Sequence, residues 1–195
     1  SWNSVKSQTS SQWLAVMVLD GGADRRTRKI FENIKHPKLE KFYFNSNHGT
    51  YPCRTKAIEL SITDWYFHLD ADDLLPYNSV ELIIDIINNK PNTAFIAGAC
   101  KHFSLGKDQV QLPQNDPELL TISPLFFATS PITKRLFYKL GGYYIPDHFF
   151  HTDWDFWLSV FESNISGYIT NDILYERRRR YNSVTWKNIQ DLGKG

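Results

Sequence analysis

The chain has 195 residues, a formal net charge of +1, 42% hydrophobic and 22% charged residues, the balance of an ordinary globular domain. Near-neutral charge leaves no overall field for nucleic acid or an anionic membrane surface, and no apolar run approaches the roughly 20 residues that span a bilayer. Cys53 and Cys100 are too few for a disulfide framework and lack metal-ligand or redox spacing, so they read as reduced thiols of a cytoplasmic protein.

In chain order, Leu14 to Leu19 is a continuous apolar run that stops at Asp20-Gly21-Gly22, the pattern of a buried parallel strand ending in a turn. Asp24 is placed to cap a helix with Ile30, Phe31 and Ile34 on its apolar face. Lys41 to Phe44 reads as a second strand, and residues 45 to 52 as a loop containing His48 and Gly49. A helix is expected from Arg54 to Ser61, with Ala57, Ile58 and Leu60 inward. Asp64 to Leu69 reads as a third strand running into Asp70-Ala71-Asp72-Asp73. Ser79 to Asn88 is a strongly apolar helix, and Thr93 to Ala99 a further strand.

Strand and helix alternating at this spacing predict a mostly parallel sheet flanked by helices. Ligands in such sheets bind at the carboxyl ends of the strands, where Asp20 and the acidic run both fall. After Lys101 the pattern changes to short strand-like pieces, with a turn at Gly106-Lys107-Asp108. A helix is expected to open at Ser130-Pro131 and end at Gly141-Gly142. An aromatic-rich helix follows over residues 152 to 161, then two strands, Ile165 to Thr170 and Ile173 to Arg178. One domain is expected over residues 1–195, with a nucleotide-binding half over 1–100 and an acceptor half over 101–195.

Three features carry chemistry. Three carboxylates in four positions at the end of an apolar strand repel one another, and a hard cation such as Mg²⁺ or Mn²⁺ offsets that repulsion; a capped strand end reads equally well from spacing. Asp153 at a helix start is favoured by the helix dipole, and it is also placed to act as a general base. Arg177 to Arg180 is either a solvated face or a diphosphate clamp. His48 and His68 read as structural, and Trp154 and Trp157 as core.

These motifs, in this order, resemble the family 2 glycosyltransferases. Ser7-Gln8-Thr9, the segment Leu19 to Asp24, Arg54 with Ala57-Ile58, Phe67 to Asp73, Leu140 to Tyr143, Thr152 to Leu158 and Arg178 to Thr185 each match a family motif. The resemblance implies a GT-A nucleotide-sugar-binding α/β sandwich. It implies an inverting transferase that moves a sugar from a nucleotide-diphosphate donor to a saccharide or lipid-linked acceptor, in polysaccharide or glycoconjugate synthesis. Asp72 would be the main ligand of Mn²⁺ or Mg²⁺, with Asp70 beside it. Asp20, Arg54, Asp70, Asp73, Arg178 and Arg180 would hold the donor, and Asp153 would be the catalytic base. The expected location is the cytoplasm, including peripheral contact with the inner face of the membrane. Leu19, Thr55, Thr152 and Arg180 depart from the family pattern, and the family's opening strand is missing, so an incomplete nucleotide pocket is expected. A non-catalytic remnant of such a domain is the alternative.

Overall fold

The computed structural model describes residues 1–114, 116–121, 126–127, 129–145 and 152–181. The expected motif residues 182 to 185 lie outside the described residues.

The chain begins with helix α1 (Trp2–Lys6) and strand β1 (Ala15–Leu19). Helix α2 (Arg25–Asn33) follows, its first turn capped by Asp24, which accepts the Thr27 amide at 2.6 Å. Strand β2 (Leu39–Tyr43) pairs parallel with β1, Ala15 opposite Leu39 and Leu19 opposite Tyr43. Helix α3 (Thr50–Leu60) and the short strand β3 (Trp65–Tyr66) lead to the acidic run. Helix α4 (Ser79–Asn89) and strand β4 (Ile96–Phe103) complete the first half.

The second half contains β5 (Gln109–Gln111), α5 (Pro117–Leu120), β6 (Ile132–Thr133), α6 (Lys134–Lys139), α7 (Thr152–Glu162) and β7 (Tyr168–Arg178). Strand β4 is the centre of the larger sheet: β7 lies parallel to it and β5 antiparallel. Strand β6 pairs antiparallel with β3 and is tied to the start of β4 through an Ile132–Phe95 bridge. Among the described residues the strands thus form three small sheets rather than the one mostly parallel sheet expected: parallel β1–β2, antiparallel β3–β6, and β5–β4–β7 with one antiparallel and one parallel pair.

Several boundaries differ from expectation for identifiable reasons. The third strand keeps only Trp65 and Tyr66 in the ladder because its partner β6 is two residues long. The expected helix at residue 130 starts at Lys134, since Ile132 and Thr133 are held in pairing and Thr133 then caps the helix by accepting the Leu136 amide. Strand β4 continues through Lys101 to Phe103 because β7 and β5 supply ladder partners on both sides. The two expected final strands are one, with an irregularity where the register jumps between Ala97–Ile169 and Ala99–Ile173. Helix α2 has no buried residue and Ile30 is exposed. In α4 the buried residues are Ser79 and Ile83, and Leu82, Ile86 and Ile87 are partly covered.

The principal core gathers Ile58, Phe95, Ile132, Phe137, Phe156, Trp157 and Val160, drawn from α3, β6, α6 and α7 and from the start of β4. Burial of such side chains contributes about 1.5–3 kcal/mol each. This core fixes α3 and α7 relative to each other.

Candidate active site

The acidic turn is built from both ends of the chain. The Asp73 amide donates to the Asp70 carbonyl at 3.1 Å, closing the turn. Immediately after it, Leu74 and Glu176 exchange backbone bonds of 2.9 and 2.8 Å with each other, attaching the turn to β7. The Arg178 amide donates to Asp73 Oδ1 at 2.8 Å and Arg178 Nε to the Asp72 carbonyl at 3.0 Å. From the other side, Gln8 uses its whole amide: Nε2 donates to the Pro76 carbonyl at 2.7 Å, and Oε1 accepts the Val80 amide at 2.9 Å. The Ser7-Gln8-Thr9 motif therefore braces the segment between the acidic turn and α4.

The three carboxylates differ. Asp73 is buried, and burial pushes its carboxyl up to about 6, with the Asp70 and Asp72 charges adding and the Arg178 amide opposing. Asp70 and Asp72 are half-exposed, each with one oxygen on a guanidinium: Asp70 Oδ1 is 2.8 Å from Arg54 Nη2, and Asp72 Oδ2 is 3.1 Å from Arg180 Nη2.

No group of three His, Cys, Asp or Glu side chains is arranged to enclose a metal among the described residues. Two half-exposed carboxylates on one turn are nevertheless a fitting donor set for Mg²⁺ or Mn²⁺. Such ions take hard oxygen ligands, usually one or two carboxylates with water and substrate phosphates.

Arg54 lies on α3 with its side chain 12% exposed. Burial alone would lower the pKa of its guanidinium, but the Asp70 charge and hydrogen bond overcome that and raise it. Three residues earlier on the same helix, Tyr51 presents its ring to the guanidinium, 5.4 Å from ring centroid to Cζ. The Tyr51 hydroxyl donates to Asp153 Oδ1 at 3.0 Å and accepts the Asp153 amide at 3.3 Å. Asp153, in the first turn of α7, is thus connected through Tyr51 and Arg54 to Asp70. Nothing in the spacing of a Tyr-x-x-Arg pair marks this bridge; the i, i+3 relation shows only that the two share a helix face.

Asp20 sits at the end of β1. Its Oδ1 accepts the Gly21 and His48 amides at 2.9 and 2.8 Å, and its Oδ2 the Gly49 amide at 2.8 Å. Burial alone would raise its pKa, but these amides, with the Cys53 thiol, outweigh that and hold it below the usual carboxylate range. Asp20 therefore locks the loop before α3 onto β1, beside Gly21. Arg178 is engaged at every turn: besides Asp72 it donates to Ser104 at 2.8 Å and lies 4.5 Å from the Phe103 ring centroid. Arg180 is exposed. His68 is buried near Tyr66 and Tyr143, and burial, with Arg54 nearby, pushes its pKa well below the ordinary value. Trp157 is in the core and Trp154 packs against it, its Nε1 donating to the Leu120 carbonyl, as expected of both; His48 is exposed and contacts Ser46.

The chain matches the model of Glycosyl transferase family 2 over residues 1–163 and belongs to that family. Solved structures share the GT-A fold. S. aureus TarS is 16% identical, with a TM-score of 0.71 over 91% of this chain and 55% of its own. TarS in complex with UDP gives a TM-score of 0.67 at 15% identity, over 92% of this chain and 56% of its own. The mannosyltransferase PcManGT from Pyrobaculum calidifontis, in complex with GDP-Man and Mn²⁺, gives 0.68 at 13% identity, over 97% of this chain and 55% of its own. The chain thus spans little more than half the length of these structures. No curated protein sequence matches it. Among the described residues no helix is long and apolar enough to cross a membrane.

Proposed function

We propose that the chain carries an inverting glycosyltransferase site that moves a sugar from a nucleoside-diphosphate donor to an acceptor hydroxyl. The observation that carries this reading is the connection of Asp153, through Tyr51 and Arg54, to Asp70 on the acidic turn. A base and a diphosphate-side carboxylate are thereby held in one network, as in-line displacement requires. Two related folds hold UDP and GDP-Man with Mn²⁺, which supports a nucleotide sugar as donor.

In this reading Asp72, with Asp70, holds Mn²⁺ or Mg²⁺, which when bound neutralises charge on the leaving diphosphate. Arg54 holds the Asp70 carboxylate in place through its 2.8 Å contact. Asp73 and Arg178 support the turn from below, while the exposed Arg180 guanidinium is placed to pass from Asp72 to the donor phosphates. Asp20 shapes the nucleoside side of the pocket by fixing the loop before α3. Asp153 removes the proton of the acceptor hydroxyl. The hydroxyl oxygen then bonds to the anomeric carbon as the bond to the diphosphate oxygen breaks, and configuration inverts. The acceptor is a saccharide or lipid-linked hydroxyl. The free Cys53 and Cys100 thiols support a reducing, cytoplasmic setting.

The test is thermal unfolding with UDP or GDP, with and without Mn²⁺, alongside release of nucleoside diphosphate from UDP- and GDP-sugars. Stabilisation that needs both nucleotide and metal is expected, together with release of the nucleoside diphosphate. Binding without release would instead identify a non-catalytic module. If Asp72→Ala bound and turned over like the parent protein, the metal assignment would be wrong.

A further inference from the structure

We propose that Tyr51 is the positioning residue of the Asp153 base. This rests on the reading of Asp153 as the base, and it assigns a role to a side chain which no motif singles out.

The contact is two-pointed. The Tyr51 hydroxyl donates to Asp153 Oδ1 at 3.0 Å while accepting the Asp153 amide at 3.3 Å. An aspartate at a helix start has several staggered rotamers and an amide with no partner inside its helix. One phenol settles both: it selects a rotamer and satisfies the amide. Tyr51 engages Oδ1, and in this scheme Oδ2 is the oxygen that meets the acceptor hydroxyl.

The phenol is itself held. Its ring centroid is 5.2 Å from that of Tyr143, which is buried, and 5.4 Å from the Arg54 Cζ. Burial first, and the Asp153 charge second, push the hydroxyl pKa well above its ordinary value, so it stays a donor throughout the range in which carboxylates titrate. Tyr51 also reaches the donor side, because Arg54 pairs with Asp70 at 2.8 Å. The base is thus tied to the diphosphate carboxylates through one helix, α3. Tyr51 does not touch the reacting atoms in this scheme; it acts through Asp153.

The test compares Tyr51→Phe, Asp153→Ala and the double variant in the full chain. UDP-glucose, UDP-N-acetylglucosamine and GDP-mannose serve as donors, read as nucleoside diphosphate released with Mn²⁺. Tyr51→Phe is expected to lower kcat by about 10- to 100-fold, the effect of a misplaced catalytic group, with donor KM and UDP–Mn²⁺ affinity within about twofold of the parent. In the Asp153→Ala background the same change should lower kcat no further. An unchanged kcat in Tyr51→Phe, beside an inactive Asp153→Ala, overturns the positioning role while leaving the base reading intact. Full turnover in Asp153→Ala overturns the base reading and this inference with it. Thermal unfolding reads the contact without turnover: the double variant should lose less Tm than the sum of the two single variants, because the carboxylate contact is counted once, while the amide at position 153 still loses its acceptor. Additive losses overturn the proposal. If Tyr51→Phe does not fold, 3-fluorotyrosine at position 51, which keeps ring and hydroxyl, replaces it; loss of kcat there as large as in Asp153→Ala overturns the proposal, and near-parent kcat supports it.

Discussion

The Arg178 amide meets Asp73 Oδ1 at 2.8 Å across 105 residues of sequence. That bond joins the last residue of β7 to the deepest carboxylate of the acidic turn. Asp70 and Asp72 lie on the same turn, so their placement depends on a strand more than half the chain away.

Asp73→Ala removes the acceptor of a buried amide, and a loss of about 1–3 kcal/mol is expected from urea unfolding. Asp73→Asn retains an oxygen there and should lose less than half as much. The Ala variant should also bind Mn²⁺ in the presence of UDP at least about tenfold more weakly, since partners behind a ligand set typically matter at that level. An unchanged urea midpoint in the Ala variant would show that β7 does not hold the turn through this bond.

Gly21 and Gly22 are adjacent, but their constraints differ. A Cβ at Gly21 would lie 2.1 Å from the Ser46 carbonyl carbon, whereas Gly22 needs its positive φ of 83° and has room around it. Gly21→Ala must therefore push the loop before α3 off β1, at a cost of roughly 1–3 kcal/mol or more. Gly22→Ala carries only the left-handed backbone cost of about 1–2 kcal/mol. Unfolding midpoints should rank Gly21→Ala below Gly22→Ala, and the reverse order would mean that the close approach to Ser46 is not maintained in solution.

His102 gives stability a pH dependence with a defined sign. Its Nε2 meets Gln111 at 2.9 Å, while Nδ1 is buried without a partner among the described residues. Burial first, and the Arg179 and Arg177 guanidiniums after it, lower its pKa against the opposing Gln111 contact. The unfolded chain therefore binds the proton more readily. The stability that neutral His102 contributes is present above the unfolded value of about 6.5 and is lost as pH falls from there through the folded value. Asp73 works in the opposite sense: its folded value of about 6 means that its contribution is present at low pH and lost as pH rises through that value. Comparing the parent with His102→Gln isolates the histidine. The variant should lose less stability between pH 7 and pH 5, and parallel pH profiles would refute the assignment.

Much of the architecture is legible in the sequence. The apolar patterns mark α4 and α7, because burial of one face leaves a periodic trace in sequence; the apolar run of β1 marks a strand, though none of its residues is fully buried, and in α3 only Ile58 is. The short ladder at β3 and the fused strand β7 leave no such trace, since strand length there depends on which partner lies alongside. The aspartates of the candidate site stand out by residue type and position, but Tyr51 and the bracing role of Gln8 do not. Their roles come from side-chain reach across folded segments, and neither spacing nor composition encodes that reach.

By itself the sequence determined which carboxylates stand at strand and helix ends, the α/β class, and the ordered motifs of the family. Those are local properties, set by hydrophobic periodicity and turn chemistry. Only the tertiary structure decided how the three acids of the turn divide their work. Asp73 goes inward to the Arg178 amide, Asp70 to Arg54 and Asp72 to Arg180. It also decided that Asp153 reaches the same site through Tyr51. The reason is physical: burial and a hydrogen-bond partner set a carboxylate's state, and both are supplied by segments distant in the chain that packing alone brings together.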